Sequence, residues 1–582
     1  MFVKIVSLII SAVMAAASFV YTSFDSVIDT VSEFIYGLPY TTQAIKYDFF
    51  SEIDDGDVVA IDEEKGFVRD KLAVFVSPDM KFSDKVSLIG TCGGVVSGWC
   101  MPADLFVISY PVMTYKQAVS RCEKLERLNG VELAVPVMAS KTQLNVTPSD
   151  SFDIANEPDF DWNELVPSGS NWWLEAVDAR QAWDYSEYFS KINVGILDSG
   201  FETDHPELAG KIVFPDSKQA GRNVPDNHGT HVAGIVSANH NGQGVAGICE
   251  NANLICIDWM PDSLQLWSTD ISIFFGFSTF VKSGAKVINL SLGTSGSKTS
   301  NSMGLFEAVF ETAATSYMMA SLLSKGYDFV VVQSAGNGDF LGDPVDARNN
   351  GRFCALNEDN IFVGSKNVSV SDILDRIFVV ASATNNGDGT FTQSSFTNVG
   401  RSVTLAAPGE NIYSSSLDGG YEYMSGTSMS APVVTGIASL VWSVNPSFTG
   451  PQIKEILCLS TNRVAQVFTE WDYWYDVETL EYPMVNAKLA VEEAIRRTDS
   501  TVGTVTGKIT GDAAEISVDG VSHTVFSDGT YSFVAPEGVY MAEIYSADGS
   551  LAGTTEIIVI AGQTATVEDF IIETEDVPEG EM

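Results

Sequence analysis

KVINLSL, residues 286–292, and FVVVQSA, residues 329–335, decide the fold. Each is a short run dominated by β-branched and apolar side chains, with no strict alternation of polar and apolar positions. A strand that is apolar on both faces has to be covered on both faces. INVGIL (192–197) and IFVVASA (377–383) repeat the pattern, and helical stretches such as Gly304 to Lys325 lie between such runs. This alternation predicts an α/β domain over residues 171–499, with a parallel sheet carrying helices on both faces. In such sheets the chemistry collects on loops at the C-terminal strand ends. The residues just after each run therefore matter most.

Away from this block the texture changes twice. Residues 57–140 contain KLAVFVSP, DLFVISYP and VELAVPV, three strand-like runs. Between them Tyr115, Ala118, Val119, Cys122 and Leu125 recur at helical spacing. The expectation is a small α+β unit with one helix laid on a sheet. A spacer (23–56) precedes it and an acidic linker (141–170) comes after it. The linker's DSFDIANEPDFDWNE has six acidic residues and no basic one, the composition of an exposed connection open to proteolysis. After residue 500, TVTGKITG, AEISVDG, TYSFVAP and TTEIIVI read with period two, punctuated by Asp-Gly and Glu-Gly. That predicts a small all-β sandwich over 500–572, with an acidic tail at 573–582.

The chain has 582 residues and a formal net charge of -44. Such an acidic surface excludes nucleic acid as a partner, because phosphate must be neutralised by basic patches. At the N-terminus Lys4 precedes an apolar run from Ile5 to Ala17, which closes on three alanines. This is the pattern of a secretory signal peptide, residues 1–22, with an uncleaved membrane anchor as the alternative. The pattern implies export, to the medium or to the cell surface. Seven cysteines leave at least one unpaired, and Cys92 and Cys100 are spaced to close a hairpin. With no C-x-x-C pair, zinc and thiol redox chemistry find no support.

INVGIL runs directly into LDSG, which puts Asp198 at a strand end. A carboxylate there suits a metal ligand, a helix cap or a group that orients a histidine. NHGTHVAG comes next with His228 and His231, two of only five histidines in the chain. A zinc reading fails for want of a third ligand at useful spacing, while a structural histidine at a helix start stays open. Asn337 stands just after the strand 329–335 on a tight glycine turn, placed either as an oxyanion donor or as an ordinary loop residue. Ser428 opens the helical run of GTSMSAPVVTG, where its backbone N–H and the helix dipole favour developing negative charge.

The four segments ILDSG, HGTHVAG, AGNG and GTSMSAP, in that order on one α/β domain, resemble the subtilisin-like serine protease family (subtilases). The resemblance spans about Trp172 to Arg497, helped by SLG at 291–293 and AAPG at 406–409. Ser199 stands where the family more often has threonine. The resemblance implies Ser428 as nucleophile, His228 as general base and then acid, and Asp198 as the group that orients it. It implies Asn337 and the Ser428 N–H as the oxyanion hole. Ser291, Leu292 and Gly293, with Ala335 and Gly336, would line the substrate cleft, the former segment pairing the peptide as an added strand. His231 is read as structural.

The implied activity is a secreted serine endopeptidase acting on proteins and peptides through an acyl-enzyme, with no cofactor needed for the chemistry. It would be made as a precursor whose 57–140 unit serves as intramolecular chaperone and inhibitor until self-cleavage. The C-terminal unit resembles carboxypeptidase-regulatory-like sandwiches. Calcium is common in the family, and DPVDARNN (343–350) offers clustered oxygens for a structural ion. Two other readings are weaker. A decayed, non-catalytic relative would have lost a triad member, and an α/β-hydrolase esterase would need G-x-S-x-G in the order Ser, Asp, His.

Overall fold

A computed structural model describes residues 55–61, 65–141, 171–215, 222–259, 267–293, 302–338, 343–466 and 481–571, with Phe49–Phe50 and Ile53 ahead of them and small gaps at 512, 514, 526–528, 547–548 and 568. The leader, most of the spacer, the acidic linker and the acidic tail lie outside the described residues.

The central sheet has ten strands. Its main parallel strands are β1 (Ile192–Asp198), β2 (Ala252–Asp258), β3 (Val287–Leu290), β4 (Val330–Ser334), β5 (Ile377–Asn385) and β6 (Leu405–Pro408). They lie side by side in the order β2-β1-β3-β4-β5-β6. Between and after them come α1 (Asn227–Ser237), α2 (Asp270–Lys282), α3 (Ser302–Ser324), α4 (Thr427–Val444) and α5 (Ala487–Thr498).

The two-faced apolar runs behave as the pleat demands, since successive side chains point to opposite faces. Val330 and Val332 enter the core shared with α1, α4 and α5, whereas Val331 enters the core shared with α2 and α3. Phe378 and Val380 divide from Ile377 and Val379 in the same way. Helix α4 is long and apolar enough to span a membrane, but its length is wholly buried against the sheet.

The N-terminal unit is an antiparallel sheet of Val95–Cys100, Leu105–Ser109, Lys65–Val76 and Val131–Lys141. It carries two helices, Phe82–Gly90 and Tyr115–Leu125, where the sequence pattern predicts one. Thr114 and Gln117 form a capping box at the start of the second helix, the strongest sequence signal for a helix start. The first helix begins after Lys81 with no side-chain cap, so nothing local announces it. The C-terminal unit is two four-stranded sheets, Val502–Thr510 with Thr530–Pro536 in one and Glu515–Val518, Gly538–Tyr545 and Leu551–Val559 in the other. Val505, Phe533, Ile516 and Ile544 share its core.

None of the seven cysteines is in a disulfide, so the Cys92–Cys100 bridge that the spacing allows does not form. The two side chains belong to different cores on opposite faces of the sheet.

Candidate active site

Asp198 ends β1, almost fully buried, and its Oδ1 accepts from His228 Nδ1 at 2.6 Å and from the Ser199 N–H at 2.8 Å. His228 is the second residue of α1, and its N–H donates to the capping carboxylate of Asp226 at 2.9 Å. Ser199 Oγ donates to Asp226 Oδ1 at 2.7 Å and accepts from the Gly229 N–H at 3.0 Å. The position uses a hydroxyl, which serine supplies as well as threonine. Gly229 has to be glycine: a Cβ there would fall 2.2 Å from the Ser199 carbonyl oxygen.

His228 is buried, which opposes its charge, but the Asp198 carboxylate and then Asp226 outweigh burial and hold its pKa above the usual histidine value. The cation is thus favoured in the folded state. Its contribution to stability is full below the unfolded pKa of about 6.5 and is lost as pH rises through the folded value. His231 behaves oppositely. Burial pushes its pKa down to about 3, so it is neutral near pH 7 and donates Nε2–H to the carbonyls of Ile412 and Glu422 at 2.9 and 3.1 Å. Its contribution is full above about pH 6.5 and fades as pH falls towards about 3.

Ser428 is the second residue of α4 and is buried. Its Oγ donates to the Ser291 carbonyl at 3.2 Å, and Ser291 Oγ donates back to the Ser428 carbonyl at 2.7 Å. Pro432 explains the second bond. It stands sixth in α4, where its missing N–H leaves the Ser428 carbonyl without a helical partner. Among the described residues His228 Nε2 has no hydrogen-bond partner. The Asp198–His228 pair and Ser428 are therefore both formed, but the bond between them is not closed. Catalytic hydrogen bonds often tighten only when substrate is bound.

Asn337 lies between Gly336 (φ +97°) and Gly338 (φ +84°), two left-handed positions that turn the chain sharply. Its Oδ1 accepts from Thr427 N at 2.8 Å and from Thr427 Oγ1 at 2.7 Å. This fixes the amide so that Nδ2 turns away from Thr427. Sequence reasoning does not single out Thr427; its adjacency to Ser428 is the one local hint of this tie. Ser425 accepts from Asn411 N at 2.8 Å. Leu292 and Ala335 are buried in the core shared with α2 and α3.

The 343–350 loop does not fit a calcium ion. Both Asp346 oxygens bond the Arg348 guanidinium, at 3.0 and 2.6 Å, which sets a cation where the ion would go. Among the described residues no cluster of three or more His, Cys, Asp or Glu could hold a metal.

Asp198, His228, Asn337 and Ser428 all stand at strand ends or helix starts of one parallel α/β domain, the placement expected of a serine-type hydrolytic enzyme. Residues 190–488 match the subtilase family, peptidase S8. The chain belongs to that family and is a serine-type endopeptidase. It is 30% identical to thermitase of Thermoactinomyces vulgaris over 321 residues, covering 54% of this chain and 94% of thermitase. It is 28% identical to the minor extracellular protease Epr of Bacillus subtilis, covering 60% of this chain and 48% of Epr. Among solved structures it resembles fervidolysin from Fervidobacterium pennivorans, described as a keratinolytic enzyme related to subtilisin. That likeness has a TM-score of 0.51 at 18% identity and covers 90% of this chain and 80% of fervidolysin.

Proposed function

We propose that the chain is an exported endopeptidase, made as a self-processing precursor, with Ser428, His228 and Asp198 as its triad and Asn337 as an oxyanion donor. The observation that carries the reading is the 2.6 Å bond between Asp198 Oδ1 and His228 Nδ1. It sets the imidazole tautomer with Nε2 bare, as a base requires. Ser428 Oγ turns from the Ser291 carbonyl to His228 Nε2, gives up its proton and attacks the scissile carbonyl. The oxyanion then meets Asn337 Nδ2–H and the Ser428 N–H. His228 returns the proton to the leaving amine, and water releases the acyl group by the same route. Asp198 stabilises the imidazolium. Protein and peptide substrates are those of the family. Export rests on the 1–22 leader and on the extracellular relative.

The 57–140 unit is read as the inhibitory propeptide. Trp267–Thr269, from the α/β part of the chain, pairs antiparallel with Val131–Lys141 as the end strand of the N-terminal unit's sheet. Fully buried Asp104 accepts from Lys85 Nζ at 2.6 Å and from Lys325 Nζ, across the boundary, at 2.7 Å. Glu132 likewise accepts from Ser365 N and Oγ at 3.1 and 2.6 Å. Removing one member of a buried pair leaves an uncompensated charge and costs about 3–5 kcal/mol. Asp104→Ala in an uncleaved Ser428→Ala precursor is therefore expected to lose about that much in a denaturant melt. A loss below about 1 kcal/mol, the scale of exposed pairs, contradicts the clasp.

The function itself is tested by incubating the full chain with denatured casein, with and without a serine-directed inhibitor, across pH. Inhibitor-sensitive cleavage is expected, and sequencing the mature N-terminus should place the processing cut between residues 140 and 170. Only neutral His228 can act as base, so activity falls as pH drops through its raised pKa. The acid limb should have its midpoint above the ordinary value of about 6.5. No inhibitor-sensitive cleavage would favour the non-catalytic reading.

A further inference from the structure

The gap between the Ser291–Gly293 and Ala335–Asn337 segments is not open. Asn350, which ends the 3-10 turn Ala347–Asn350, is 1% exposed and lies within it. Its Nδ2 donates to the Ser334 carbonyl at 2.7 Å, on the Ala335–Asn337 side. Its Oδ1 packs on Gly293, on the other side, so closely that a Cβ at 293 would come within 1.7 Å of it. A Cβ on Gly336 would approach the same amide at 3.0 Å. The side chain thus bridges the two segments that the protease reading makes the walls of the cleft.

Resting on that reading, we propose that Asn350 is the floor of the pocket for the side chain on the acyl side of the scissile bond, and that it selects small residues there. The reacting carbonyl has to sit about 3 Å from both Ser428 Oγ and the oxyanion donors. Ser428 Oγ contacts the Ser291 carbonyl, and Thr427, its neighbour, holds Asn337. The carbonyl is therefore flanked by both segments. The side chain on its own Cα projects into the space between them, which the amide fills. Alanine and serine fit above that amide. Leucine or phenylalanine meets a buried polar group fixed by its bond to Ser334 and sheds water without gaining an apolar lining. Loop 343–350, which reads in sequence as a calcium candidate, is on this view a specificity loop.

The test uses the full processed chain and four peptide p-nitroanilides that differ only in the residue before the nitroanilide: alanine, serine, leucine or phenylalanine. A single misfitting methylene changes kcat/KM by roughly 10–200-fold. The wild type is expected to favour alanine and serine over leucine and phenylalanine by at least about tenfold. Asn350→Gly removes the floor and should raise the phenylalanine-to-alanine ratio by a similar factor, while Asn350→Ser, which keeps a short polar group, should fall between. The ratio is internal to each variant, so a drop in folded fraction does not move it. A wild type that prefers phenylalanine, or an Asn350→Gly ratio equal to wild type, overturns the pocket while leaving the protease reading intact. No inhibitor-sensitive hydrolysis of any of the four overturns both.

Discussion

Ser428→Ala is expected to reduce kcat by roughly a million-fold, leaving the fold in place and the precursor uncut. That magnitude is the one known for subtilisin, a relative, and is carried over to this chain. The reason for the size is that, in the proposed triad, the nucleophile, its base and the base's orienter act as one unit. Removing one member therefore removes nearly all that the set contributes. The reason for the intact fold is local. Ser428 Oγ makes a single long bond, 3.2 Å to the Ser291 carbonyl, while the helix start is held through the Ser428 carbonyl, which alanine retains. His228→Ala should match Ser428→Ala within about tenfold, and the double variant should be no worse than either. Losses that multiply would mean that the two side chains do not act together. The measurement is single-turnover hydrolysis of a peptide ester, with thermal melts to show that each variant is folded.

How legible each feature is in the sequence depends on how local it is. The parallel sheet can be read because Val330, Val331 and Val332 are apolar on successive positions, and both faces need cover. The order Asp198, His228, Asn337, Ser428 can be read because each stands where a strand ends or a helix begins. Strand Val95–Cys100 escapes because its register slips between Val96 and Gly98, which breaks the period of two. Strand Gly538–Tyr545 escapes because Val539 and Met541 lie exposed on its outer face. Tertiary ties leave no trace at all. The Ser291–Ser428 exchange joins residues 137 apart, and nothing near Asn350 announces Gly293. The loop 343–350 reads as oxygen-rich and hence metal-friendly, but its oxygens and amides are committed to Arg348 and Ser334.

Asn337→Ala is expected to lower kcat by about 10²–10³, or roughly 3–4 kcal/mol of transition-state stabilisation, with KM nearly unchanged. This size, too, is the one known for the oxyanion asparagine of subtilisin. The split between kcat and KM reflects when the bond is made. A donor aimed at the tetrahedral oxygen meets negative charge only in the transition state, so its loss leaves ground-state binding alone. Alanine also takes away the acceptor of Thr427 N and Oγ1, so Asn337→Ala alone mixes two effects. Asn337→Asp separates them. It keeps an oxygen for Thr427 while placing a carboxylate where the donor was, so its kcat should fall at least as far as that of alanine. Thr427→Val does the converse, leaving the amide but removing one of the two bonds that aim it. Its loss should be smaller, about tenfold, which is the effect of a group misplaced rather than removed. A KM that rises with kcat preserved in Asn337→Ala would place the side chain in substrate binding and take it out of the oxyanion hole.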